Sequence, residues 1–198
     1  MHECRYSRLL NCSLAGGWRW TVKSTVMLLL AVLASVAQAE LVKDCDWNCR
    51  RQIDFIEAEH FPLHANNTET RQDSIVYVTT VAQKSNLLSV KLRALEALAS
   101  NASAINPETR ALTLKSIAAI ASESNDEQLE YKAIQMIAHS LKSQNPEMKQ
   151  LAAQMIATIA SRSEQKMTQT VAMNHLERSG EVDQLVRMKA AVFASQAK

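Results

Sequence analysis

Apolar residues recur with the period of an α-helix from about residue 75 to residue 160. The central column of this pattern is Val78, Leu95, Ile117, Ile137 and Ile156. Three positions earlier stands a second apolar column, Ile75, Leu92, Leu114, Ile134 and Ala153. Small or apolar residues also dominate the positions one and four after the central column. This i, i+3, i+4, i+7 spacing is that of a helix that buries one face. The pattern predicts five amphipathic helices.

Three of the predicted helices have recognisable starts. The tripeptide Asn-Pro-Glu begins at Asn106 and again at Asn145, and Asn-Asp-Glu begins at Asn125. Asn favours the N-cap, Pro the first helical position, and Glu the positive end of the helix dipole. The starts recur about every 20 residues, which predicts a helical repeat of that length.

The flanks of the repeat are less regular. Residues 74–81 are β-branched enough for a strand, but they fit the repeat columns and have no second strand to pair with, so helix is favoured. A helix over 42–59 and a polar loop over 62–71 are expected before the repeat. A helix over 165–178 ending at Gly180 and a last helix over 181–195 are expected after it. The apolar face of the last helix is Val182, Leu185, Met188 and Val192.

Two segments look like copies of one another: residues 116–122 (Ser-Ile-Ala-Ala-Ile-Ala-Ser) and 155–161 (Met-Ile-Ala-Thr-Ile-Ala-Ser). Their small Ala columns allow close helix packing. Over residues 74–161 the chain resembles HEAT and armadillo α-solenoids, in which two such helices form a unit of about 40 residues. The resemblance implies an all-α fold of stacked antiparallel helices. The Asp and Arg placement of HEAT units is not matched, so a compact helical bundle stays open as the alternative.

The N-terminus has the features of a secretory signal. A basic front precedes an apolar stretch at residues 26–37, and the small-x-small pattern Ala37-Gln38-Ala39 follows, so Glu40 would begin the mature chain. A membrane anchor is the alternative, but the stretch is shorter than the roughly 20 residues a spanning helix needs. The chain thus divides into a signal peptide (1–39), an N-terminal helix with a polar loop (40–71) and a repeat domain (72–198). We expect an exported protein without stable membrane insertion after cleavage, periplasmic if the organism is Gram-negative and otherwise secreted.

Two cysteines, Cys45 and Cys49, remain after the predicted cleavage. In an exported chain they suggest one disulfide. On a regular helix this spacing separates the Cβ atoms by about 6 Å, whereas a disulfide needs about 4 Å. The bond therefore requires a turn or a frayed helix start, or else pairing between chains.

Composition excludes several function classes. Gly180 is the only glycine beyond the predicted signal, so a phosphate-binding or dinucleotide-binding loop cannot form there and no cofactor is expected. The chain has 22 basic and 20 acidic residues. Residues 1–39 hold four of the basic and one of the acidic residues, which leaves a nearly balanced mature chain. Balanced charge gives no reason to expect a nucleic acid partner.

Histidines are the remaining candidates for chemistry. His60 and His64 are four residues apart, with Glu57 and Glu59 beside them, which is a spacing found in metal sites. Pro62 lies between them and is expected to break the helix that would align the two rings. We therefore predict no metal ligands and no catalytic residues. A metal-binding protein or hydrolase that uses His60, His64 and nearby acids is the alternative function. His139 falls outside the apolar stripe, and His175 is expected to be partly buried and hydrogen-bonded.

The favoured function is a binding or scaffold protein that holds a protein or peptide partner, because stacked helices present an extended surface. If alternate helices share a face, the helices around Leu95 and Ile137 contribute to one surface. The predicted partner-binding residues on that surface are Arg93, Glu96, Lys132, Gln135 and His139. The opposite surface is represented by Lys115, Glu123 and Gln154.

Overall fold

The computed structural model describes residues 47–196, and no strand occurs among them. The helices are α1 Trp47–Ala58, α2 His60–Leu63, α3 Thr68–Lys84, α4 Leu88–Ala99, α5 Pro107–Ser122, α6 Glu127–Ala138, α7 Pro146–Arg162, α8 Lys166–Ser179 and α9 Val182–Gln196. Short 3₁₀ turns, Ser100–Ser103 and His139–Lys142, follow α4 and α6. The all-α fold is confirmed. The predicted signal peptide, its cleavage site and Cys45 lie outside the described residues.

Side-chain caps fix the starts of α3, α5 and α7. Asn67, Asn106 and Asn145 each accept a hydrogen bond from a backbone N–H in the first turn of the helix that follows. The interval from Asn67 to Asn106 equals that from Asn106 to Asn145, and we call this interval one unit of the repeat. The cap of α6 is Asp126 rather than Asn125, because Asn125 takes a left-handed backbone (φ 49°) before the helix. The two prolines stand at the first helical position, where no N–H is needed.

The apolar columns are buried as predicted. All five members of the central column are fully buried. Residues 74–81 are helical, and the β-branched Thr79 and Thr80 satisfy their hydroxyls by donating to the carbonyls of Ile75 and Val76. Burying an Ile or Leu side chain contributes about 1.5–3 kcal/mol, so these columns dominate the stability of the fold.

The helices pack in two rows that alternate along the chain. Row one is α3, α5, α7 and α9, in which each helix contacts the next. Row two is α1, α4, α6 and α8, in which each helix also contacts the next. The rows contact each other through sequence neighbours such as α3 with α4 and α5 with α6. Helices two apart in the repeat therefore share a row, and each unit contains one pair of helices.

Hydrogen bonds between the units recur from one unit to the next. The Asn101 side chain donates to the carbonyl of Leu63, and Ser140, one unit later, donates to the carbonyl of Ala102. The same shift matches Leu95 with Ile134. The predicted column places Ile137 at the position equivalent to Leu95, and this alignment of α6 with α4 is wrong by about one helical turn. Ile134 and Ile137 are both buried, so the apolar pattern alone does not distinguish the two alignments.

Within a unit, an arginine ties the helix to the loop before it. Arg71 donates through Nε and a terminal nitrogen to the carbonyl of Ala65. Arg110 makes the same two bonds to the carbonyl of Ala104. Donor and acceptor have both moved by one unit, so this contact belongs to the repeat.

Two local predictions are wrong. Residues 62–71 are not one polar loop: Pro62 belongs to α2, and α3 begins at Thr68 because Asn67 caps it. Val182 is not on the buried face of α9, since it is 62% exposed. Leu185 and Met188 are buried as predicted, and α9 also ends row one within the described chain, which leaves one of its sides uncovered.

Candidate functional site

A cleft of about 550 Å³ opens where α1, α2 and α4 meet. Its lining combines apolar and polar surface and includes both histidines of the alternative site together with two residues of the predicted partner-binding set: Ile56, Glu57, His60, His64, Arg93, Glu96, Ala97 and Ser100. The sequence pattern gives no reason to place the two histidines beside the predicted partner-binding residues. The packing of α4 against α1 brings them to one place.

An ionic ladder runs along the edge of the cleft and across three helices of row two. Arg93 of α4 contacts Glu57 of α1 at 3.0 Å and Glu96 of its own helix at 3.2 Å. Glu96 in turn contacts Lys132 of α6 at 2.5 Å. A shift of one unit carries the first ion pair, between Glu57 and Arg93, onto the pair between Glu96 and Lys132. The ladder is therefore produced by the repeat.

The members of the ladder are between about one-third and one-half exposed. Exposed ion pairs contribute only about 0–1 kcal/mol each to stability. Their larger effect here is to hold long side chains in fixed positions, with both signs of charge presented to solvent. A fixed pattern of charge is suited to selecting a complementary partner.

Gln135 and His139 lie farther along the same row. Gln135 occupies the position one unit after Glu96, and its Nε2 lies 3.4 Å from Nε2 of His175 on α8. His139 is exposed, as predicted, one turn after Gln135. Thus Arg93, Glu96 and Lys132 are joined directly, while the other two predicted residues extend the surface toward α8.

His175 is partly buried and in contact with Gln135, as expected from the sequence. Burial lowers the pKa of His175 below its ordinary value, and the positive charge of Arg178 lowers it further. Both effects disfavour the charged imidazolium. The imidazole of His175 is therefore mainly neutral near pH 7 and adds no positive charge to this end of the surface.

The expectation that Pro62 separates His60 from His64 is wrong. The two rings pack edge to face with their centroids 4.7 Å apart. Helix α2 is a single turn, so the N–H that proline lacks would have no intrahelical acceptor there. The backbone continues past Pro62 through hydrogen bonds from Leu63 to Glu59 and from Ala65 to Pro62. Among residues 47–196, no group of three or more His, Cys, Asp or Glu side chains is arranged to hold a metal ion.

Cys49 is buried, and its Sγ lies 3.2 Å from Oγ of Ser89 on α4. Its predicted disulfide partner Cys45 and the acidic residues Asp44 and Asp46 lie outside the described residues. The disulfide therefore stays a prediction. None of the helices within residues 47–196 has the length and apolar character needed to cross a membrane.

The opposite surface is built from row one. Lys115, Glu123 and Gln154 are exposed there. Glu123 accepts hydrogen bonds from Gln83 of α3, and at the same two positions of the next unit Arg162 donates to Ser122. This surface has repeated contacts too, but no ladder of alternating charge among its described side chains.

Sequence reasoning missed the part that Glu57 plays in the ladder. The sequence pattern marks Glu57 only as a neighbour of the histidines. The missing signal is the length of the unit, since Glu57 precedes Glu96 by one unit, as Arg93 precedes Lys132. The 39-residue spacing therefore relates the pair Glu57 and Arg93 to the pair Glu96 and Lys132.

Comparisons with known proteins add little to this description. No family model matches the chain, and no curated protein matches it. One similar solved structure is the crystal structure of an engineered protein, a target of the Northeast Structural Genomics Consortium. It is 14% identical with a TM-score of 0.47, and the alignment covers 80% of this chain and 77% of that one. The packed helices of the described chain support the resemblance to HEAT and armadillo proteins only as a helical architecture.

Proposed function

We propose that this chain is an exported helical-repeat protein that binds a protein or peptide partner through the outer surface of row two. The observation that carries the proposal is the continuous ionic ladder, Glu57–Arg93–Glu96–Lys132, beside a cleft of about 550 Å³. Helices of three successive units contribute to this one surface. We further propose that the two rows form a short α-solenoid rather than a closed bundle.

The chemistry of the surface favours a polypeptide over a small molecule or a nucleic acid. Acidic and basic side chains alternate along the ladder, so the surface has no single sign of charge to attract phosphates. Ile56 and Ala97 contribute apolar side chains to the cleft, and Arg93 is of a residue type that is enriched, with Trp and Tyr, among the residues that contribute most to protein binding. An extended segment with an apolar anchor between charged residues would fit this arrangement.

The test is affinity capture from the exported fraction, followed by mass spectrometry. The bait is the processed chain, and the variant is the double reversal Arg93→Glu and Lys132→Glu. Its matched control is Lys115→Glu, an equally basic residue on row one. We expect a captured protein to be lost from the double variant and kept by the control, with both variants melting within a few degrees of the wild type. Equal capture by all three baits would reject the ladder as the binding surface.

Export is tested separately by the intact mass of the protein from that fraction. The pattern at Ala37, Gln38 and Ala39 predicts a chain that begins at Glu40. A mature protein that retains residues 27–33 would reject the signal-peptide interpretation.

A metal-binding or hydrolytic role is a second candidate, and the contact between the His60 and His64 rings favours it. Glu57 lines the same cleft. Calorimetric titration with zinc tests this role, with the double substitution of both histidines by Ala as the comparison. Stoichiometric binding that the substitutions abolish would support a metal site, and no binding by the wild-type chain would remove this candidate.

A further inference from the structure

Helix α1 exposes a face that the later helices of row two bury. Phe55 is 42% exposed and Arg51 is also exposed. One unit later, Val90 and Ala94 of α4 occupy these positions and are fully buried. The corresponding positions of α6 and α8 are fully buried as well: Leu129, Ala133, Thr168 and Ala172. Arg93, the neighbour of Ala94, contacts Glu57 of α1, so this is the side on which α4 meets its predecessor.

The exposed face of α1 is a stack of one cation and two aromatic rings. The guanidinium of Arg51 lies 5.3 Å from the ring centroid of Trp47 and 5.6 Å from that of Phe55. Trp47 is 72% exposed. We call Trp47, Arg51 and Phe55 the aromatic end. Aromatic residues and arginine are enriched at the buried centres of protein interfaces.

The other end of the stack has an open groove of about 310 Å³ between α8 and α9. Met173, Met188 and Val192 make it apolar, and Lys166 and Lys189 line it beside them. Thr170 of α8 also lines it. We call this cavity the open groove.

The repeat identifies what belongs in the open groove. Thr170 lies two units after Leu92 of α4, which is 3% exposed, and one unit after Tyr131 of α6, which is 42% exposed. Leu92 precedes Glu96 by one turn, and Glu96 contacts Lys132 of α6, so this side of α4 faces the following helix of row two. Helix α8 is the last row-two helix among the described residues. The groove is thus open where a further row-two helix would pack.

We infer that the two ends bind each other in a head-to-tail complex of two copies of this chain. Helix α1 of one copy packs into the open groove of the other, as α6 packs against α4 within the chain. The aromatic end lies on the side of α1 that, in the later row-two helices, packs against the preceding helix. The open groove lies on the side where the following row-two helix would pack. A single chain therefore presents both halves of the contact.

Side-chain size agrees with this pairing. Internal units have a buried Ala where the aromatic end has Phe55, and the open groove supplies the volume that this larger ring needs. Methionine is a favourable and adaptable neighbour for an aromatic ring.

A contact between two different surfaces repeats instead of closing on itself, unless the copies form a ring. Blocking either end in every copy therefore stops assembly. When a copy blocked at the aromatic end is mixed with a copy blocked at the open groove, the two intact ends can still bind each other. Each complex then contains one contact and two copies. This behaviour separates a head-to-tail contact from a symmetric one.

The experiment is sedimentation velocity of the processed chain over a range of concentrations, with the variants Phe55→Glu and Thr170→Arg. Both positions are exposed, so both variants are expected to melt close to the wild type. We expect the wild type to form dimers and larger species as concentration rises, and each variant alone to remain monomeric. An equal mixture of the two variants should form dimers and nothing larger. Ile105→Glu, which changes a fully accessible apolar residue away from both ends, should assemble as the wild type does.

Four results would overturn the inference. The first is a wild type that stays monomeric throughout, and the second is a mixture of the two variants that stays monomeric. The third is a Thr170→Arg variant that still dimerises by itself, since that would indicate contact between two aromatic ends. A covalent dimer on non-reducing gels would also overturn it, because Cys45 would then account for the association.

Discussion

The first two helix pairs of this chain and the last one share a buried core but differ in their polar contacts. Arg71 and Arg110 each clamp a carbonyl six residues earlier. The residue at the equivalent position of the third unit is Lys149. Its Nζ does not bind such a carbonyl but lies 3.3 Å from Oε1 of Glu181. A lysine has no planar fork with which to donate twice to one oxygen.

The ionic ladder shows the same division. Its pairs join Glu57 to Arg93 and Glu96 to Lys132. One unit later the corresponding positions are Gln135 and Val171, so no ion pair can form, and Gln135 contacts His175. The packing of the rows continues across this change. Apolar columns therefore set the fold throughout, while the polar contacts single out the first two units as the place where the candidate surface is most ordered.

The largest expected effect tests the core that both regions share. Replacing Ile117, Ile137 or Ile156 with Ala should each cost about 2–5 kcal/mol in the free energy of unfolding, because each side chain is fully buried. Leu185→Ala in α9 should cost less, since Leu185 retains some exposure in the folded chain. Urea unfolding followed by circular dichroism measures these differences. Lys115→Ala, an exposed control, should cost less than about 0.5 kcal/mol, and an effect as large as that of Ile117→Ala would mean that the columns are wrongly assigned.

The arginine clamp should give the next largest effect and separate the two regions. Arg110→Ala removes two charge-assisted hydrogen bonds to the partly buried carbonyl of Ala104, so we expect a loss of about 1–3 kcal/mol. Lys149→Ala removes a partly exposed ion pair and should cost no more than about 1 kcal/mol. The same urea titration compares them. Equal losses would show that the third unit is held as firmly as the first two.

The ladder should contribute less to stability than the clamp. A double-mutant cycle with Glu96→Gln and Lys132→Met should give a coupling free energy of about 0.2–1 kcal/mol, because both side chains are partly exposed. This coupling should shrink as salt is raised from low to high concentration. A coupling well above this range that ignores salt would mean that the ladder stabilises the fold and is not merely an ordered surface.

The smallest expected effect is a pH dependence confined to the C-terminal part. The pKa of His175 is lowered in the folded chain, so the unfolded chain binds more protons near the ordinary histidine pKa. The contribution of His175 to the free energy of unfolding is therefore fully present above the ordinary histidine pKa. It is lost as pH falls from that value through the lowered pKa of the folded chain. Melting temperatures of the wild type should decline more between pH 7.5 and pH 5 than those of His175→Gln. Parallel decline of both proteins would contradict this assignment.

Sequence alone predicted the features that depend on local periodicity. The buried columns follow from helical spacing, and the caps at Asn106 and Asn145 from the preference of Asn for that position. The contact between Glu57 and Arg93 joins residues 36 apart and depends on how row two packs. The local periodicity of the sequence does not predict which residues of separate helices come into contact. Likewise, the sequence predicts that Pro62 breaks a helix, whereas the chain makes a single helical turn there and brings the two histidine rings together.

The central claim is that a partner binds the outer surface of row two in the exported protein. Its most direct test is photo-crosslinking in living cells, with a photoreactive phenylalanine analogue in place of one residue at a time. Ser100 lines the cleft on row two, and Gln154 is exposed on row one. We predict a discrete covalent adduct to another protein from position 100 and none from position 154. An adduct from position 154 alone, or equal adducts from both positions, would contradict a binding surface on row two.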